Sequence, residues 1–142
     1  MSDDPLTNPD LYFDRELSQL AFNQRVLAQA GDPDVPLLER LRFLTITATN
    51  MDEFFEVRVA ALKQRLSLGL GAQDASQQPP VEVLRKVQKR AHALIREQYR
   101  VLNESLIPEL EAAGVRFLRR DLWDDATRKW IADFFAAELE PV

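Results

Sequence analysis

The sequence contains no cysteine, one histidine and four glycines in 142 residues. The missing thiols exclude disulfides, thiolate metal sites and a cysteine nucleophile. His92 stands alone, so no Ser-His-Asp set can be assembled around a partner histidine, and we read it as a surface or boundary residue of a helix. Gly69 and Gly71 are the only clustered glycines. No Gly-Lys-Ser/Thr follows them, which removes a phosphate-binding loop and leaves a helix end. No apolar run approaches the ~20 residues needed to span a bilayer. The opening MSDDPLTNPD is too acidic and polar for a secretory signal, so a cytoplasmic location is expected.

The residues present are those of a globular domain: 46% hydrophobic, 29% charged. That balance supports a core without the low hydrophobicity of disorder. A net charge of -5 argues against nucleic acid as a partner. Arginine-rich faces (Arg58, Lys63, Arg65; Arg85, Lys86, Lys89, Arg90; Arg116, Arg119, Arg120) are interleaved with acids and read as solvated.

Apolar spacing predicts about five helices, one of them long, with little or no sheet. Residues 1–13 carry Pro5 and Pro9 and form an extended lead-in; the helical domain occupies 14–142. Asp14 caps a helix reaching Ala30, with Gly31 as its stop and Leu17, Leu20, Ala21, Leu27 and Ala28 as its apolar stripe. Asn23 lies off that stripe. Pro36 suits the first position of a second helix, which buries Leu37, Leu38, Leu41, Leu44 and Ala48. The β-branched run 45–49 continues it as helix. A third helix starts near Asn50 or Met51, where Thr49 with Asp52 and Asn50 with Glu53 resemble capping boxes; it buries Phe54, Phe55, Val59, Leu62 and Leu66. Residues 69–80 are loop. The long helix runs from Val81 to Ala113, kinked or broken at Pro108 and ended by Gly114. Val115 to Arg119 is an extended link. Asp124 caps the last helix, with Trp130–Phe134 and Ile131–Phe135 as its apolar pairs. Together these make an all-α helical bundle.

Catalytic and metal-binding equipment is thin. Asp52, Glu53 and Glu56 form an acidic first turn that suits the helix dipole and is too small for a hard-cation cage. Asn50 differs. Its amide donates and accepts at once, which fits the edge of a nucleobase as well as an N-cap.

Two strings carry a resemblance. YFDRELSQLAFNQRVL contains REL-S-x-L-x-FN-x-RVL, and PLLERLRFLTITATNMDEFFEVRVAALK contains N-x-DEF-x-x-VR. Over Leu11 to Arg65 the chain resembles the N-terminal domain of the histidine-phosphorylated polyphosphate kinases. The resemblance implies an enzyme that reversibly moves the terminal phosphate of ATP onto polyphosphate through a phosphohistidine, with magnesium. It implies that the helical domain supplies a wall against the adenine, with Asn50 at the family's adenine-side asparagine. It further implies the other domains of the same polypeptide as partners, a homo-oligomer at full length, and catalytic histidines beyond residue 142. The chain itself then has no catalytic residue, no metal ligand and no stably bound cofactor. Gln19 stands where the family usually has tryptophan in S-W-L. A stand-alone helical interaction module without a nucleotide role is the alternative.

Overall fold

The computed structural model describes residues 13–70 and 78–140. Most of the expected lead-in, and 71–77 of the expected loop, lie outside them. Among the described residues there are four helices and no strand. Helix α1 is Arg15–Gly31. Helix α2 covers 37–67: α-helical over Leu37–Glu53, π-helical over Phe54–Val59, and α-helical again over Ala60–Ser67. Helix α3 covers 80–112, with a π segment at Leu102–Leu106. Helix α4 starts at Asp125 and ends in a π turn at Phe135–Leu139, after a 3-10 turn at Arg120–Leu122.

The helix count differs from the expected five because the second and third predicted helices are one. An N-cap residue needs extended backbone and free N–H groups ahead of it. Glu53 is helical (φ -59°), and the Phe54 N–H is bonded to the carbonyls of Asn50 and Met51. No free turn exists there for Thr49 or Asn50 to cap. Asp14 and Asp124 do cap, each accepting a hydrogen bond from the backbone three residues on: Leu17 at 2.9 Å and Thr127 at 2.7 Å. Pro36 is the residue before α2, with ψ 139°, rather than its first helical residue. The helix also runs on past Pro108. The π segment just ahead of it supplies a wider turn, in which the Ile107 N–H reaches back to Leu102.

Two compact units are present, Met1–Glu109 and Leu110–Val142. In the first, the core is built at three-four spacing. Helix α1 buries Leu20, Asn23, Leu27 and Ala30; α2 buries Arg40, Leu44, Thr47, Met51 and Phe54; α3 buries Val83, Val87, Ala91, Leu94 and Val101. This corrects the expected stripes on α1 and α2. Leu38, at 65% exposed, faces solvent, while Asn23 at 1% and Arg40 at 3% are core. Thr47 is tolerated there because its hydroxyl bonds back to the Phe43 carbonyl at 2.9 Å. In the second unit Trp130 stacks on Phe134 at 5.4 Å, and both stay exposed.

Candidate functional site

Asn50 lies in the middle of α2, not at a helix start, and is half-buried. Its side chain is not spent on a cap. The amide nitrogen donates to Oδ1 of Asn23 on α1 at 2.9 Å. Asn23 in turn points its own amide nitrogen at the Met51 sulfur, 3.7 Å away. Met51 is 3% exposed, so a short polar chain runs from the core to the surface: thioether, buried amide, half-buried amide. Among the described residues no group hydrogen-bonds to the Asn50 oxygen. One N–H and the oxygen of Asn50 remain available. Ile46, one turn earlier on α2, is partly exposed and adds apolar surface beside the amide. The π segment of α2 begins four residues after Asn50; such segments are frequent near functional sites.

Sequence reasoning placed Asn50 as a candidate and missed Asn23 and Met51. The signal was present: Leu20, Asn23, Leu27 and Ala30 repeat at three-four spacing, which puts Asn23 inside the buried stripe.

A second missed residue is Arg40. Its Nε donates to the Ala30 carbonyl at 3.0 Å, its Nη1 and Nη2 grip Glu109 at 2.6 and 3.1 Å, and Nη2 also donates to Ser105 Oγ at 2.6 Å. This two-pronged contact links α1, α2 and α3. Arg40, and then Ser105, hold the Glu109 carboxyl below the usual carboxylate range. The cluster is fully engaged with itself and acts as a clamp rather than as a site.

His92 is exposed, as expected. It lines a shallow depression of about 630 Å³ with Arg85, Lys89 and Arg96 on the outer face of α3. A second depression, about 350 Å³, lies between α1 and α3 around Gln24, Arg90 and Glu97. Neither includes Asn50. Asp52, Glu53 and Glu56 are exposed, and among the described residues no three His, Asp or Glu side chains gather to hold a metal. No helix among them is long and apolar enough to cross a membrane.

Fold and site together define a small all-helical domain that braces one half-buried amide between two helices and gathers no three metal-ligating side chains among its described residues. The chain belongs to the polyphosphate kinase N-terminal domain family, whose profile matches residues 12–118. It is 43% identical over 137 residues to a polyphosphate kinase of Pseudomonas putida, covering 96% of this chain and 19% of that protein. With a polyphosphate kinase of Neisseria meningitidis serogroup B it shares 51% identity over 128 residues, covering 90% and 19% respectively. The crystal structure of polyphosphate kinase from Porphyromonas gingivalis superposes with a TM-score of 0.74 at 28% identity, over 91% of this chain and 18% of that one. The chain thus spans about a fifth of the length of these relatives.

Proposed function

We propose that this chain is the N-terminal domain of a larger, multidomain enzyme that transfers the terminal phosphate of ATP to polyphosphate. In that enzyme Asn50 forms part of the wall against the adenine. The observation that supports this reading is the state of Asn50: half-buried, fixed through its nitrogen by Asn23, with an oxygen that no described group engages. The free oxygen and second N–H leave the amide one acceptor and one donor with which to meet a ligand. Family membership and the short span relative to full-length relatives support the rest.

Phosphoryl transfer depends on positioning and on stabilising developing charge. Here the domain supplies position only: a base contact, and packing against the remainder of the polypeptide. Magnesium, implied for the family, finds no ligand set among the described residues, and no step is assigned to it in this chain.

The test is Asn50→Ala in the full-length enzyme, with the KM for ATP as readout. A rise of roughly fivefold or more, the size of one lost hydrogen bond, is expected with folding intact. An unchanged KM would leave Asn50 as scaffold and favour the interaction-module reading, for which exposed Trp130 and Phe134 offer an apolar surface.

A further inference from the structure

We propose that the outer face of α3 holds a stretch of polyphosphate chain along a column formed by Arg85, Lys89, His92 and Arg96. The column as an anion site stands on charge and geometry alone; the choice of polyphosphate as the anion rests on the functional reading above.

The chain is acidic overall, yet its charge is unevenly placed. From Val83 to Arg96, α3 carries Arg85, Lys86, Lys89, Arg90 and Arg96 and no acid; Glu82 and Glu97 bound the stretch. On this face the expected interleaving with acids is absent. Arg85, Lys89, His92 and Arg96 follow one another at steps of four, three and four residues, which aligns them on one side of the helix. That side lies opposite the buried row of Val83, Val87, Ala91 and Leu94, and all four residues are exposed. The column is about 17 Å long and one side chain wide. With Gln88 and Ala93 it lines the shallow depression described above, and no acid is part of that lining.

Other exposed cations of the chain have acids beside them. Arg42 lies against Glu39, Arg100 against Glu97 and Glu104, Arg116 against Glu111, and Lys129 against Asp133. Arg85, Lys89 and Arg96 make no ion pair with any described residue. Glu97, next to Arg96 in the chain, is held by Arg100 at 2.6 Å. Cations stacked one helical turn apart repel one another, and within this stretch no acid offsets that. A ligand that brings negative charge along the column removes the repulsion.

The shape of the column selects a narrow, linear polyanion. Guanidinium and ammonium groups both bind phosphate oxygens, the guanidinium with two parallel N–H donors. Polyphosphate repeats its charge along a flexible chain without bases or sugars, and can meet the cations one after another. A single nucleic-acid strand is held in addition by aromatic side chains on which its bases stack, and no Phe, Tyr or Trp lies between Val83 and Arg96. An acidic protein surface spreads its carboxylates in two dimensions and would meet a single line of cations. A chain lying on α3 is retained by contacts that a short chain cannot make, so the column favours long polyphosphate over short.

The test measures the Kd of the full-length enzyme for end-labelled long-chain polyphosphate and for tripolyphosphate across a salt series. Wild type is compared with a column variant, Arg85→Ala with Lys89→Ala and Arg96→Ala. A control variant, Arg42→Ala with Arg100→Ala and Lys129→Ala, removes the same charge from paired positions. The column variant is expected to bind the long chain roughly threefold or more weakly at low salt. Its plot of log Kd against log salt is expected to flatten by about 2–3 in slope. Tripolyphosphate, too short to bridge the column, changes less, and the KM for ATP and the urea midpoint stay at their wild-type values. Unchanged long-chain affinity in the column variant, or an equal loss in the control, overturns the proposal. A lowered urea midpoint with unchanged polyphosphate binding assigns the column to packing against the rest of the polypeptide and overturns it too. Tighter binding of a labelled oligonucleotide than of polyphosphate, lost in the column variant, overturns the choice of ligand. The two readings fail separately. A full-length protein that forms no polyphosphate from ATP removes the functional reading, and a binding loss confined to the column variant still leaves the anion site in place.

Discussion

Arg40 and Asn23 show how polar side chains enter a helical core when each of their groups has a partner. Arg40 is 3% exposed and makes four hydrogen bonds, one to the Ala30 carbonyl, one to Ser105 and two to Glu109. Arg40→Ala strips these partners and leaves a void beneath them, and we expect a loss of about 2–4 kcal/mol in a urea melt. Arg40→Lys is expected to restore little, since an ammonium cannot reproduce the planar fork. The clamp also sets an acid sensitivity. Glu109 has a lowered folded pKa, caused first by Arg40 and then by Ser105. Its contribution is therefore present above the unfolded value of about 4.3 and is lost as pH falls through the lowered folded value. Urea midpoints followed downward from about pH 5 are expected to fall less steeply in Glu109→Gln than in wild type. A parallel decline in the two proteins would remove Glu109 from the acid response. Neither Arg40 nor Asn23 was read as core from the sequence, because polarity alone argues for the surface. Their positions in the three-four repeat argued otherwise, and burial followed position.

Among the elements, caps and stops were legible and continuity was not. Asp14 and Asp124 cap where expected, since each carboxylate stands one residue ahead of a helix and reaches an N–H three residues on. Gly69 (φ 67°) and Gly114 (φ 87°) end helices in the left-handed conformation. Leu70 and Val115, one residue further on, donate back to Arg65 at 3.0 Å and Leu110 at 2.8 Å, which closes each helix end. A Cβ at Gly69 would meet nothing within 4 Å, so Gly69→Ala costs backbone strain alone. About 1 kcal/mol is expected in a thermal or urea melt, with Gly69→Asn milder. A neutral Gly69→Ala would mean that the helix end relaxes. The junction at 49–54 looked like a break because Thr, Asn and Asp favour caps. It is continuous because Asn50 has a better partner across the helix pair, in Asn23, than in its own backbone. At Pro108, where a kink or a break and restart was expected, α3 stays helical, and a π segment supplies the wider turn ahead of the ring.

At the scale of the whole molecule, the chain holds one braced amide, and among its described residues no three metal-ligating side chains gather. Incubated alone with ATP, magnesium and polyphosphate, the 142-residue protein is expected to transfer no phosphate and to bind ATP weakly or undetectably, because it spans only about a fifth of its relatives' length and a nucleotide needs most of its surface enclosed. Acid-labile phosphate on His92 in this chain would overturn that expectation. The sequence by itself determined the all-helical class, the capped helix ends, the long third helix and the family, because periodicity, caps and motif spacing are local properties of the chain. The tertiary structure alone decided which partners the buried polar side chains meet and which atom of Asn50 is left free. Those outcomes depend on residues 27 and 69 positions apart in the chain, Asn23 with Asn50 and Arg40 with Glu109, meeting across packed helices. The pairing of donors and acceptors between helices is fixed only once the helices are in place.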